Sequence, residues 1–171
     1  MWQFTGKNRP PFAEEPGPGQ ESVWDYSRPP AIREDDRRVI VKYQDTVIAD
    51  SIRAVRILET ASPPTFYIPP EDVDIGCLAP AAGSSFCEWK GEARYWSLAS
   101  SIGDVPHIGW SYPEPRPAFG SIAGYFSFYP GKVECYVDGE RVRPQPGGFY
   151  GGWLTDDIVG PVKGLRGTSH W

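Results

Sequence analysis

Histidine occurs twice in the chain (His107 and His170), methionine once and cysteine three times. These scarcities exclude several chemistries. A structural zinc site asks for closely spaced Cys or His pairs, whereas Cys77, Cys87 and Cys135 are scattered and both histidines are isolated. No metal or other cofactor is expected. An odd set of separated cysteines suits reduced, partly buried thiols and not a disulfide framework. No run of about 18 apolar residues exists, so no membrane-crossing helix is expected. The start, "MWQFTGKNRPPF", lacks the apolar core of a secretory leader. A cytoplasmic location is the default expectation.

Excess positive charge is also lacking. The net charge is −5 with a pI near 5.1, which argues against a nucleic-acid partner, whose phosphates require clustered Lys and Arg. The densest basic cluster, Arg33, Arg37 and Arg38, is interrupted by Glu34, Asp35 and Asp36. Its charges largely cancel, and a solvated linker face is the plainer reading.

What the chain has in quantity is proline, glycine and aromatic rings. Nineteen of each of the first two and 14% aromatics fall at regular points between short apolar runs, the pattern of short strands separated by turns. Residues 1–36 form a Pro-rich arm in which Trp2, Phe4, Trp24 and Tyr26 could anchor. Residues 37–143 form the body. Residues 144–171 are Gly-rich but too apolar for a free tail, since Phe149, Trp153, Ile158, Val159 and Trp171 need burial; a wrapping arm is expected.

Within the body, "RVIVKYQDTVIADS" reads as strand, turn at Gln44-Asp45, strand. "RAVRILET" suits helix or strand by period, and the proline corner after it favours strand. "HIGWSYPEP" is a further strand. "AGYFSFYPGKVECYVDGERV" holds two strands joined by Pro130-Gly131, with a hairpin signal at Asp138-Gly139. The sum is an all-β sandwich or open barrel with little helix.

The chemically richest stretch is "FCEWKGEARYWSL", residues 86–98. A two-residue turn at Gly91-Glu92 would set Cys87, Trp89, Arg94, Trp96 and Leu98 on one face. Phe86, Glu88, Lys90, Ala93, Tyr95 and Ser97 would share the other. The first face has the greater apolar area and is expected to be core, with Arg94 over Trp89 at its rim. Lys90 is then solvated, paired with Glu59, Glu88 or Glu92, or poised for an anion. Either Lys90 and Tyr95 line a pocket with Trp110 and Tyr112, or they form a surface salt bridge with aromatic packing.

Cys87 could serve as a nucleophile with a pKa lowered by Lys90 or Arg94 and His107 as base. No serial motif supports that dyad, and a core thiol is the plainer reading. "GGFYGGWLTDDIVGPVKG" lacks the spacing of a phosphate loop; Gly160–Gly164 could still expose amide hydrogens to an anion, and turn chemistry is the plainer reading. Glu71-Asp72 and Asp156-Asp157 are adjacent pairs suited to bracing turns.

Four blocks, "ILETASPPTFYIPPEDV", "CEWKGEARYWSL", "WSYPEP" and "IAGYFSFYPGKVECYVDG", resemble the domain of unknown function 427 family over residues 38–141. The resemblance implies an Mss4-like β-tent of two antiparallel sheets meeting along one edge. It also brings the label nucleotidyltransferase, although neither a paired-carboxylate metal motif nor a phosphate loop is present to carry that chemistry. β-Tent relatives often hold zinc through two Cys-x-x-Cys pairs, absent here. Cereblon-type relatives hold cyclic ligands in aromatic cages, which by analogy of fold alone directs attention to Trp96, Trp110 and Tyr112.

The expected function is therefore recognition of a small anionic or aromatic ligand by Glu59, Cys87, Lys90, Tyr95, Trp96, Trp110 and Tyr112. The alternatives are a protein-interaction module, possible as a homodimer, that uses exposed arm tryptophans, and a thiol-dependent enzyme using Cys87.

Overall fold

The computed structural model describes residues 2–171. The N-terminal segment forms β1 (Glu21–Ser22) and β2 (Ala31–Asp35). There follow β3 (Val39–Tyr43), β4 (Thr46–Ser51), β5 (Ala54–Leu58) and β6 (Thr65–Tyr67). The central hairpin is β7 (Leu78–Cys87) and β8 (Gly91–Leu98). Next come β9 (Gly109–Ser111), β10 (Phe126–Phe128), β11 (Glu134–Val137) and β12 (Glu140–Arg141). The C-terminal segment adds β13 (Arg143–Pro144), β14 (Trp153–Leu154) and β15 (Ile158–Val159). Helix is confined to short 3-10 turns, as an all-β chain rich in β-branched, aromatic and proline residues requires.

These strands form several antiparallel sheets and no barrel. Two are four-stranded, ordered β10-β9-β8-β7 and β12-β11-β3-β4, and a third is ordered β2-β5-β6. Two small pairs complete the set: β13 with β14, and the parallel pair β1 with β15, which ties the two ends of the chain together. An isolated bridge from Ile68 to Phe126 joins the end of β6 to β10.

Several turns lie where residue type demands. Gln44 occupies the left-handed region at the β3–β4 bend, and Asp138 and Gly139 both do at the β11–β12 turn, the geometry of a type I′ hairpin. The strand 31–35, within the segment read as an irregular arm, pairs with β5 along its whole length. The strands either side of Pro130-Gly131 enter different sheets, β10 against β9 and β11 against β3.

The main core brings together Val39, Val41, Ile48, Phe66, Ile68, Phe128, Cys135 and Trp153. A second cluster holds Val55, Ile57, Tyr67, Ala93, Trp110 and Tyr112. A third, Val23, Trp24, Tyr26, Leu58 and Ile158, is made where both arms meet β5. There Phe4, Phe12, Trp24 and Trp171 interlock with ring centroids 5.1–6.2 Å apart. Trp24 and Trp153 are fully buried, so these two arm tryptophans contribute to folding rather than to an exposed surface. The three thiols are free; Cys77 and Cys135 are buried and Cys87 half-buried. No helix among the described residues is long and apolar enough to cross a membrane.

Two expectations for the charged and aromatic segments are corrected. Asp35 is buried rather than part of a solvated linker face, accepting hydrogen bonds from Arg37 and pairing with Arg56 at 3.2 Å. The β7–β8 turn is the three-residue loop Glu88–Lys90, with Cys87 opposite Gly91, not Gly91-Glu92. An odd loop changes the parity of one strand against the other. Cys87 therefore shares a face with Ala93 and Tyr95, while Phe86, Glu92 and Arg94 face outward. Arg94 does not cover Trp89; it is exposed opposite Ser84.

Candidate functional site

The odd loop sends Lys90 inward. Gly91, at φ 105°, closes the loop in a region that side-chain-bearing residues rarely adopt. The Lys90 carbonyl accepts the Arg116 backbone N–H at 2.9 Å, which holds the loop against the segment after β9. The lysine is only 8% exposed and lines a cavity of about 270 Å³.

The cavity lies between the β2-β5-β6 sheet and the turn end of the β7–β8 hairpin. Ile57, Thr65 and Tyr67 come from the first, and Ser85, Cys87, Ala93 and Tyr95 from the second. Trp110 and Tyr112 enter from β9 and the residues after it. Tyr95 and Trp110 are cross-strand partners and so share the inner face. The Trp110 indole donates to the Tyr67 hydroxyl at 3.2 Å, and the Tyr95 hydroxyl donates to Ser85 Oγ at 2.7 Å. Tyr129 stacks obliquely on Trp110, 4.6 Å between centroids.

Both arms complete the wall. The N-terminal arm supplies Trp2, whose indole donates to Glu88 Oε1 at 3.0 Å. The C-terminal arm supplies Gln145, Tyr150, Gly151 and Lys163. Gly151 lies so close to the Trp110 ring that a Cβ there would overlap it, so the arm can seat against this wall only through glycine.

Of the residues expected at the site, Glu59, Cys87, Lys90, Tyr95, Trp110 and Tyr112 all line this cavity. Trp96 does not. Strand alternation puts adjacent Tyr95 and Trp96 on opposite faces, and Trp96 packs on Phe126 and donates its indole N–H to Ser111 Oγ at 3.0 Å. Sequence reasoning missed Tyr67, Trp2, Trp89, Tyr150 and Lys163. Trp2 carried a signal as a candidate anchor of its arm, and Lys163 as a cation inside an apolar arm that had to find burial.

Lys90 makes no ion pair within 4.0 Å of any carboxylate among the described residues. Its ammonium sits 5.7 Å from the Tyr112 ring centroid. Burial, the largest influence, disfavours its charge, but the acidic groups around it carry its pKa above the ordinary lysine value, and of these Glu59 is the one ionised near neutral pH. Burial likewise pushes the Tyr67, Tyr112 and Tyr129 phenols up. Near neutral pH the site therefore holds an ammonium among neutral phenols.

Glu59, a carboxylate whose charge acts on Lys90, is committed elsewhere. Its Oε1 accepts from Arg28 Nε at 3.2 Å and from the Trp89 indole at 3.3 Å. Lys163 lies 4.7 Å from the Trp2 ring centroid and 5.3 Å from that of Tyr150. Burial and the nearby Arg28 push its pKa down. Among the described residues, no three His, Cys, Asp or Glu side chains cluster as metal ligands.

Residues 31–139, well over half of the chain, match a family described as a domain of unknown function, DUF427, also labelled NTP_transf_9. The chain belongs to this family. No curated protein matches it. The DUF427 region contains the hairpin, Glu59, Tyr67, Trp110 and Tyr112. The Trp2 and Lys163 side of the cavity comes from the arms outside it.

Proposed function

We propose that this DUF427 protein binds a small ligand combining an anionic group with a flat ring. Lys90 holds the anion, and Tyr67, Trp110 and Tyr112 surround the ring. One observation carries the reading: a nine-tenths-buried ammonium, unpaired with any carboxylate, lines an aromatic cavity. A buried cation is stabilised most by a charge-assisted partner in the same low-dielectric space. A concave, mostly aromatic wall with a few convergent polar groups is also the usual build of a small-molecule site. The β-tent, Mss4-like architecture belongs to this reading. Its support is the Ile68–Phe126 bridge, which joins two sheets at one edge beside the cavity. A reducing, cytoplasmic setting is part of it too, supported by three free thiols.

The test is a thermal-shift screen over aromatic acids and nucleotides, repeated on Lys90→Met. A ligand bound only by the native state raises Tm by mass action. The reading requires at least one such acid to raise Tm in the parent and to lose that effect in the variant. Equal shifts in both proteins would overturn it.

A second reading, thiol chemistry at Cys87, is favoured by that thiol sharing the cavity wall with the Lys90 ammonium. It requires Cys87 to alkylate near neutral pH much faster than an unfolded-chain thiol. Labelling at or below the unfolded rate leaves Cys87 a wall residue.

A further inference from the structure

The cavity holds a second buried cation. Lys163 is 6% exposed and, like Lys90, forms no ion pair among the described residues. The two ammonium groups occupy different parts of the wall. Lys90 lies by Tyr112 within the β7–β8 loop, and Lys163 lies between Trp2 and Tyr150, contributed by the two arms. Arg28 brings a third positive charge, 4.0 Å from the same Trp2 ring. The two acidic side chains on the cavity wall are both engaged: Glu59 by Arg28 and Trp89, and Glu88 by the Trp2 indole.

Cation–π contacts lower the cost of burying Lys163 but do not neutralise it. Arg28 cannot relieve it either. Its guanidinium is spent on Glu59 and on the main-chain oxygens of Phe4, Thr60 and Trp171, and its own charge repels the lysine. An anion at this position would gain from both cations. Both lysines line the same cavity of about 270 Å³, whose wall also carries the Tyr67, Trp110 and Tyr112 rings.

We propose that the ligand carries two separate anionic groups, one held by Lys90 and the other by Lys163, flanking a flat ring between them. The inference rests on the anion-and-ring reading above and adds the second charge and its location. It also gives the arms a role, because Lys163, Trp2 and Tyr150 lie outside the DUF427 match.

The experiment is calorimetric titration of the full chain with benzoate, phenyl phosphate and the three benzenedicarboxylates, repeated on Lys163→Met and Lys90→Met. The expected result is at least one dicarboxylate binding about tenfold or more tighter than benzoate, the worth of one charge-assisted contact. Lys163→Met should reduce that dicarboxylate to the benzoate level and leave benzoate unchanged, while Lys90→Met should weaken every probe. If benzoate and all dicarboxylates bind alike, the second anion site is overturned and the Lys90 reading stands. If phenyl phosphate binds most tightly and is indifferent to Lys163→Met, both charges belong at one locus and the inference again fails. Absence of binding by every probe overturns the inference and the underlying reading together. The comparison of mono- and dicarboxylates in the unaltered protein needs no variant to fold.

Discussion

The indole of Trp153 stacks on Phe66 with ring centroids 4.7 Å apart and planes 20° from parallel. Phe66 belongs to β6 of the DUF427 region and Trp153 to the C-terminal segment beyond it. Trp153 is fully buried and donates its indole N–H to the Phe128 carbonyl at 2.9 Å. The C-terminal segment is thus part of the main core. Trp153→Ala should cost about 3–5 kcal/mol, the usual range for deleting a large buried ring. Urea unfolding measures it; a loss below about 1 kcal/mol would mean the segment docks loosely.

Gly151 and Trp110 make a second close approach. Any Cβ at 151 meets the Trp110 ring, and Trp110 is itself buried against Tyr67 and Tyr129. Gly151→Val should push the arm off that wall, at an overpacking cost of about 1–3 kcal/mol. It should also weaken ligand binding, because Tyr150 and Lys163 would lose their positions. Denaturant melts and titration with an aromatic acid, run together, check both effects. Unchanged binding would show that the arm is not part of the site.

Lys163→Met should stabilise the ligand-free protein. Burial and Arg28 depress the folded-state pKa of Lys163, so its charged form is disfavoured on folding. The deficit is therefore present below the folded-state pKa. It disappears as pH rises past the unfolded value, about 10.4. The variant's advantage in Tm should be visible at pH 7 and shrink toward pH 11. An advantage that is absent, or that grows with pH, contradicts the assignment.

Asp35 carries the opposite sign. Burial opposes its ionisation, but hydrogen bonds from Arg37 and the charges of Arg37 and Arg56 outweigh it, and its pKa lies below the ordinary aspartate value. Its contribution to stability is thus fully present above about pH 3.9 and is lost as pH falls through the lower folded-state value. Asp35→Asn removes a shared carboxylate from Arg37 and Arg56, which keep Asp157 and Glu21, and should cost about 1–3 kcal/mol near neutral pH. The difference from the parent should narrow in acid, as equilibrium melts between pH 2 and 7 would show.

The all-β class, the turns at Gln44-Asp45 and Asp138-Gly139 and the family were legible in local signals. Alternating apolar residues and left-handed turn residues act over two to four positions, which is the range a sequence pattern encodes. Six of the seven expected site residues meet because they cluster on the hairpin and its neighbours. The misplaced one, Trp96, follows from alternation: a pocket on one face of β8 can include Tyr95 or Trp96 but not both.

The chain alone therefore determined the strand-and-turn alphabet, the scarcity of metal ligands and the concentration of rings and charge in residues 86–112. Tertiary structure decided which face looked inward, because that depends on the parity of a single loop, three residues instead of two. It also decided that Trp2 and Lys163 stand on the same cavity wall, 4.7 Å between ring centroid and ammonium. No local periodicity links the two ends of a chain; only the burial of apolar arms on a common core brings them together.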